Sequence, residues 1–82
     1  MRSTGLTVLV LEGPSVVPRI GIVAGKKVGN AINRNRAKRR LREAASQARL
    51  RPNTDYILIA SPECNEIGLD DIIRVISGKE ER

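Results

Sequence analysis

The sequence predicts a small α+β domain, a sheet with its helices packed on it, and three observations carry that prediction. The chain has 82 residues, room for one domain and one thin core. Short runs rich in Val, Ile and Leu, bounded by Gly, Pro and Asn, flank a 31–50 stretch with no Gly or Pro and abundant Ala, Arg and Leu. The last apolar residues recur at helical spacing. The order read from these signals is strand, strand, helix, strand, helix, with no internal repeat.

Leu6 to Leu11 (LTVLVL) is too short for a helix and almost wholly apolar, which predicts a buried strand ended by Glu12, Gly13 and Pro14. Pro18 to Ala24 (PRIGIVA) is a second strand, joined to the first by a hairpin-like link, with Gly21 as a point of close backbone approach. The run GKKVGN that follows is a glycine-flanked basic loop in which Gly25 and Gly29 can supply positive φ. Ala31 to Leu50 is the long helix, with Asn30 as its N-cap and Pro52 barring its continuation. Asp55 to Ala60 (DYILIA) is a third strand between Asn53-Thr54 and Ser61-Pro62. Leu69, Ile72, Ile73 and Ile76 follow i, i+3, i+4, i+7 spacing and predict a terminal amphipathic helix. Asp70 and Asp71 fall in its first turn and Lys79 beyond its last, both favourable to the helix dipole.

Composition removes whole classes of function. Phe and Trp are absent and Tyr56 is the only aromatic, so the core must be built from aliphatic side chains worth about 1.5–3 kcal/mol each when buried. A single cysteine, Cys64, excludes an internal disulfide, and the lack of histidine excludes a His/Cys zinc site. No apolar run reaches the length of a membrane span and the N-terminus lacks a signal-peptide layout, so a cytoplasmic protein is expected. Without histidine, the acid–base and nucleophile candidates are Asp70, Asp71, Glu63, Glu66 and Cys64. None has a partner at suggestive spacing: the aspartates read as helix N-terminal charges and Cys64 as a loop thiol beside Pro62. No catalytic residue and no protein-held metal is expected.

The charge is +6 overall and unevenly placed. Residues 26–51 hold ten basic residues and one acid, a net of +9, whereas residues 53–82 hold seven acids and three bases, a net of −4. Six bases fall within 34–42, five of them arginine, with no acid among them to provide i, i+4 support. Arginine's planar fork binds phosphate oxygens in bidentate fashion, so the pattern predicts a polyanion partner, nucleic acid first. The apolar series Ala37, Leu41, Ala44 and Ala48 is narrow, with one large side chain, and suits close packing on a sheet. Its alanines are too small for a helix lying on a membrane. The loop at 25–30 precedes a helix N-terminus, a natural anion site, but matches neither GxxxxGK[ST] nor GxGxxG, so no small-molecule nucleotide substrate is expected.

The run Gly25 to Ala44, GKKVGNAINRNRAKRRLREA, resembles the signature of the bacterial ribonuclease P protein component: lysines, then G-N-A, then R-N-R-x-K-R and a further Arg. The matching positions are Lys26, Lys27, Gly29, Asn30, Ala31, Arg34, Asn35, Arg36, Lys38, Arg39 and Arg42. The resemblance extends over roughly residues 2–78 and implies an RNA-binding subunit. Such a subunit assists a catalytic RNA in removing the 5′ leader from precursor tRNA, with Mg²⁺ held by the RNA. It implies a sheet of three to four strands with a left-handed strand-helix-strand crossover and a C-terminal helix packed on it, a ribosomal protein S5 domain 2-like fold. It also implies docking of the R-N-R helix on the RNA and a leader cleft on the sheet, partly lined by aromatics. Two departures stand out: this chain opens at about the family's first strand, without the preceding Phe-bearing helix, and Gly25 replaces the usual Ser. The RNA-binding set expected from signature and charge is Lys26, Lys27, Asn30, Arg34, Asn35, Arg36, Lys38, Arg39, Arg40 and Arg42; Tyr56, at a strand start, reads first as a packing residue and otherwise as the aromatic candidate for leader contact. The expected partners are ribonuclease P RNA and precursor tRNA, with no membrane. A ribosomal protein-like RNA binder with no role in tRNA processing fits the composition equally well; only the G-N-A-x-x-R-N-R order separates the two.

Overall fold

A computed structural model describes residues 5–78, so Lys79, expected beyond the terminal helix, lies outside the described residues. Three strands, β1 (Leu6–Glu12), β2 (Arg19–Val23) and β3 (Thr54–Ala60), and two helices, α1 (Ala31–Gln47) and α2 (Leu69–Ile76), follow in the expected order. Short 3-10 turns occupy Lys26–Val28 and Pro62–Asn65.

The sheet order is β1-β3-β2, with β1 antiparallel and β2 parallel to the central β3. The hairpin expected between β1 and β2 therefore does not form. β3 takes the place between them because it carries the apolar alternation that can be buried on both flanks: Thr54, Tyr56, Leu58 and Ala60 are all buried on one face. In register, Leu6 faces Ala60 and Val8 faces Leu58 on one side, while Ile20 faces Tyr56 and Ile22 faces Leu58 on the other. The 13–18 link is tied down instead by Gly13 N–H donating to Asn53 O and Asn53 N–H donating to Val16 O. Asn53 itself turns at φ 54°, a conformation asparagine tolerates better than most residues.

Both helices pack on the face that carries those side chains. α1 contributes Ala37, Leu41, Ala44 and Ala45, and α2 contributes Ile72, Val75 and Ile76. Val75 joins the buried stripe, and Leu69 and Ile73 of the expected series stand at its half-buried margin. Asn30 caps α1 as expected, its side-chain oxygen accepting from Asn33 N–H at 3.0 Å. The helix ends at Gln47, three residues before the expected Leu50. Ala48 is already extended, Arg49 N–H donates to Ser77 Oγ at 3.0 Å, and Leu50 packs against the core.

Two further expectations are corrected. β1 is an edge strand with only Leu6 and Val8 buried on it, so it is not buried throughout. Its outward Leu9 and Leu11, with Val23 of β2, leave the other sheet face aliphatic and about half exposed. Gly21 is no point of close approach, since a Cβ there would meet only Tyr56 O at 3.9 Å. Cys64, read as a loop thiol beside Pro62, does lie in the Pro62–Asn65 turn and is fully buried there, and burial pushes its pKa up.

At the start of β2 and β3, Arg19 grips Asp55 in a bidentate pair, Nε to Oδ1 at 2.9 Å and Nη2 to Oδ2 at 2.6 Å. The guanidinium hydrogen bonds hold the Asp55 carboxyl below the ordinary aspartate range. A carboxylate lowered on folding stabilises above its unfolded-state pKa, and that contribution is lost as the pH falls through the folded value. Asp55→Asn should therefore flatten the loss of stability below about pH 4 relative to the parent chain. Urea unfolding at a series of acidic pH values checks this, and an unchanged acid limb would remove the pair from the account.

Candidate nucleic-acid interface

The basic residues are presented by α1 and by the turn before it. Lys26 and Lys27 sit in a 3-10 turn seated by Val28, which is buried and was not marked by any sequence pattern. Gly29 closes the turn at φ 131°, the left-handed half of backbone space; Gly25, expected to share that role, is extended at φ −88°. The chain then enters α1 through Asn30, which is exposed.

Because the buried stripe of α1 is Ala37, Leu41, Ala44 and Ala45, about 100° per residue fixes where the bases point. Lys38 and Arg42 lie on the flank toward β2, and Arg42 borders a groove with Ile20, Ile22, Ala45, Ser46 and Leu50. Arg39 points away from the sheet. Arg36 and Arg40 lie on the other flank, where they meet Leu69 at the start of α2. Asn35, Arg36, Arg39 and Arg42 are exposed, and Arg34, Lys38 and Arg40 are half-buried.

Among the described residues the ion pairs are Arg19 with Asp55 and Arg74 with Asp71, so none of the six bases at 34–42 is neutralised by a described acid. Glu43, the one acid on α1, accepts instead from Gln47 Nε2 at 2.8 Å. A field of this sign and density on a rigid helix is suited to phosphate groups, with the fork of arginine matching two oxygens at once. No three acidic or thiol groups come together among the described residues to hold a metal ion. Asp70 and Asp71 stand in the first turn of α2, Asp71 lying 3.6 Å from Arg74.

Two residues of the expected set are placed differently. Tyr56 is 4% exposed on the helix-covered face, and its hydroxyl accepts from Arg51 N–H at 2.9 Å. It is a core residue and offers no ring to a base; its alternation with Leu58 and Ala60 was the signal for this. Arg40 donates through Nη2 to the Ile67 carbonyl, so part of its guanidinium is already engaged within the protein. No helix among the described residues is long and apolar enough to cross a membrane.

Replacing Arg39 by Ala should weaken RNA binding with little change in stability, because its side chain packs on nothing in the core. Leu41→Ala should cost about 2–5 kcal/mol, being the one large apolar residue on the buried stripe of α1. Urea midpoints and RNA titrations on both variants check the contrast, and an unstable Arg39→Ala protein would reverse the assignment of faces.

Comparison with known proteins gives this surface its context. Residues 1–78 match the family described as Ribonuclease P. The chain is 43% identical over 67 residues to the ribonuclease P protein component of Thermus aquaticus, covering 77% of this chain and 41% of that protein. It is 57% identical over 47 residues to that of Ruegeria pomeroyi, covering 54% and 38%. The chain thus spans about half the length, or less, of these relatives. Among solved structures, its fold is similar to the RNase P protein of Thermotoga maritima, with a TM-score of 0.78, 22% identity, and 95% and 80% of the two chains covered. It is also similar to an RNase P protein mutant of Staphylococcus aureus, with a TM-score of 0.80, 23% identity, and 99% and 73% covered. The small parallel β2-α1-β3 unit, the basic helix it carries and the match over nearly its whole length place this chain in the Ribonuclease P protein family.

Proposed function

We propose that the chain is the protein subunit of ribonuclease P, docking on the catalytic RNA through α1 and the Lys26–Val28 turn and assisting removal of the 5′ leader from precursor tRNA. The observation that carries this reading is that Arg34, Arg36, Lys38, Arg39 and Arg42, in the order of the family signature, stand around α1 with no ion pair to an acid among the described residues. In this reading the work of the chain is affinity and charge screening, carried by the basic side chains of α1. Mg²⁺ held by the RNA would supply the hydrolytic chemistry. The protein's part is to lower repulsion between two RNA backbones, which reduces the metal needed to bring them together.

Leader contact falls to the open sheet face. That face offers Leu9, Leu11 and Val23 with no aromatic ring among the described residues, and its cation Arg19 is already paired with Asp55. Stacking on aromatics is worth about 1–3 kcal/mol per base, so an aliphatic face holds a single strand more weakly. Discrimination between precursor and mature tRNA should accordingly be modest.

The test is leader cleavage by a bacterial ribonuclease P RNA at low Mg²⁺ with and without this chain. Stimulation is expected, with a small preference for precursor over mature tRNA. Binding without stimulation would reduce the chain to a general RNA binder, and cleavage by RNA-free protein would overturn the division of labour.

A further inference from the structure

Between β3 and α2, residues 61–68 cross the N-terminal half of α1 and are held to it at two points two helical turns apart. Asn65 Nδ2 donates to the Asn33 carbonyl at 3.0 Å, and Arg40 Nη2 donates to the Ile67 carbonyl. Asn33 and Arg40 are seven residues apart and share one flank of the helix. Cys64, immediately before the first anchor, is fully buried, and the segment begins with Ser61 N–H donating to Gly5 O at 3.1 Å. Beside the anchoring donors, Arg40 Nε and Asn65 Oδ1 of the same side chains are buried and make no hydrogen bond of their own. Taking Arg40 to a phosphate would require it to leave a carbonyl that is part-buried, and Arg40 is the one base of 34–42 outside the family signature.

We infer that Arg40 is a positioning residue that, together with Asn65, straps residues 61–68 across α1 and fixes the helix for RNA without contacting RNA itself. The inference rests on the reading of α1 as the docking helix. A helix whose strap is released presents its arginines in the docking geometry for only part of the time, and affinity falls by that fraction. The number of phosphates neutralised stays the same.

Two measurements separate a strap from a phosphate contact: amide exchange at Cys64 and Glu66, whose N–H groups donate to Ser61 and Glu63 carbonyls within the strap, and RNA titration across a range of salt. Arg40→Gln and Asn65→Ala should each speed exchange at Cys64 and Glu66 about tenfold or more. Each should raise Kd for ribonuclease P RNA severalfold and leave the slope of log K against log salt as in the parent chain. Arg39→Gln should lower that slope by about 0.7–0.9 and leave exchange unchanged. Arg40→Gln lowering the slope as Arg39→Gln does would overturn the inference. So would Asn65→Ala with exchange and Kd at parent values, and this uncharged change decides the matter if Arg40→Gln does not fold. A flat salt response of the parent chain would instead defeat the RNA-docking reading, while the exchange data still decide the strap.

Discussion

The contact between the alanine-rich stripe of α1 and the sheet is the constraint on which the rest of this structure depends. Ala37, Ala44 and Ala45 are small enough to bring the helix backbone close to β2 and β3, and Leu41 fills the space that remains. Because so narrow a stripe suffices, most of the helix circumference is released from packing. The sequence uses that freedom for bases, which repel one another and would be costly on an isolated helix. Burial of four residues thus offsets the repulsion among six like charges on the same helix.

The parallel β2-α1-β3 unit gives the same contact its direction. Placing β3 between β1 and β2 buries the Tyr56, Leu58 and Ala60 face under both helices, and leaves α1 along the β2 side with its charges outward. The Lys26–Val28 turn and the Asn30 cap lie at the entrance of the same helix, so the two lysines extend the row of arginines. α2 packs against both α1 and β1, with Asp70 and Asp71 in its first turn.

Much of this was legible in the sequence, because each element is announced by a local pattern. Helix α1, its Asn30 cap, the three strands and the basic row follow from spacing, capping chemistry and charge. What was not legible depends on partners far away in sequence. A short link after β1 is compatible with a hairpin or with a strand inserted later, and only the double-sided apolar demand of β3 decides it. LTVLVL reads as buried on both faces, yet no described element covers Leu9 and Leu11. Arg40 has the same residue type as its neighbours, and its partner is a carbonyl 27 residues on, which no periodicity could mark.

The central claim, that a stripe of small side chains seats the helix proposed to dock on RNA, is tested most directly by Ala37→Leu, which enlarges a fully buried residue between Arg34 and Lys38. Urea unfolding and RNA titration of the folded variant are the readings. The account predicts a loss of stability of about 1–3 kcal/mol together with weakened RNA binding, as the helix is lifted from the sheet. A variant as stable as the parent chain, with RNA affinity unchanged, would contradict it.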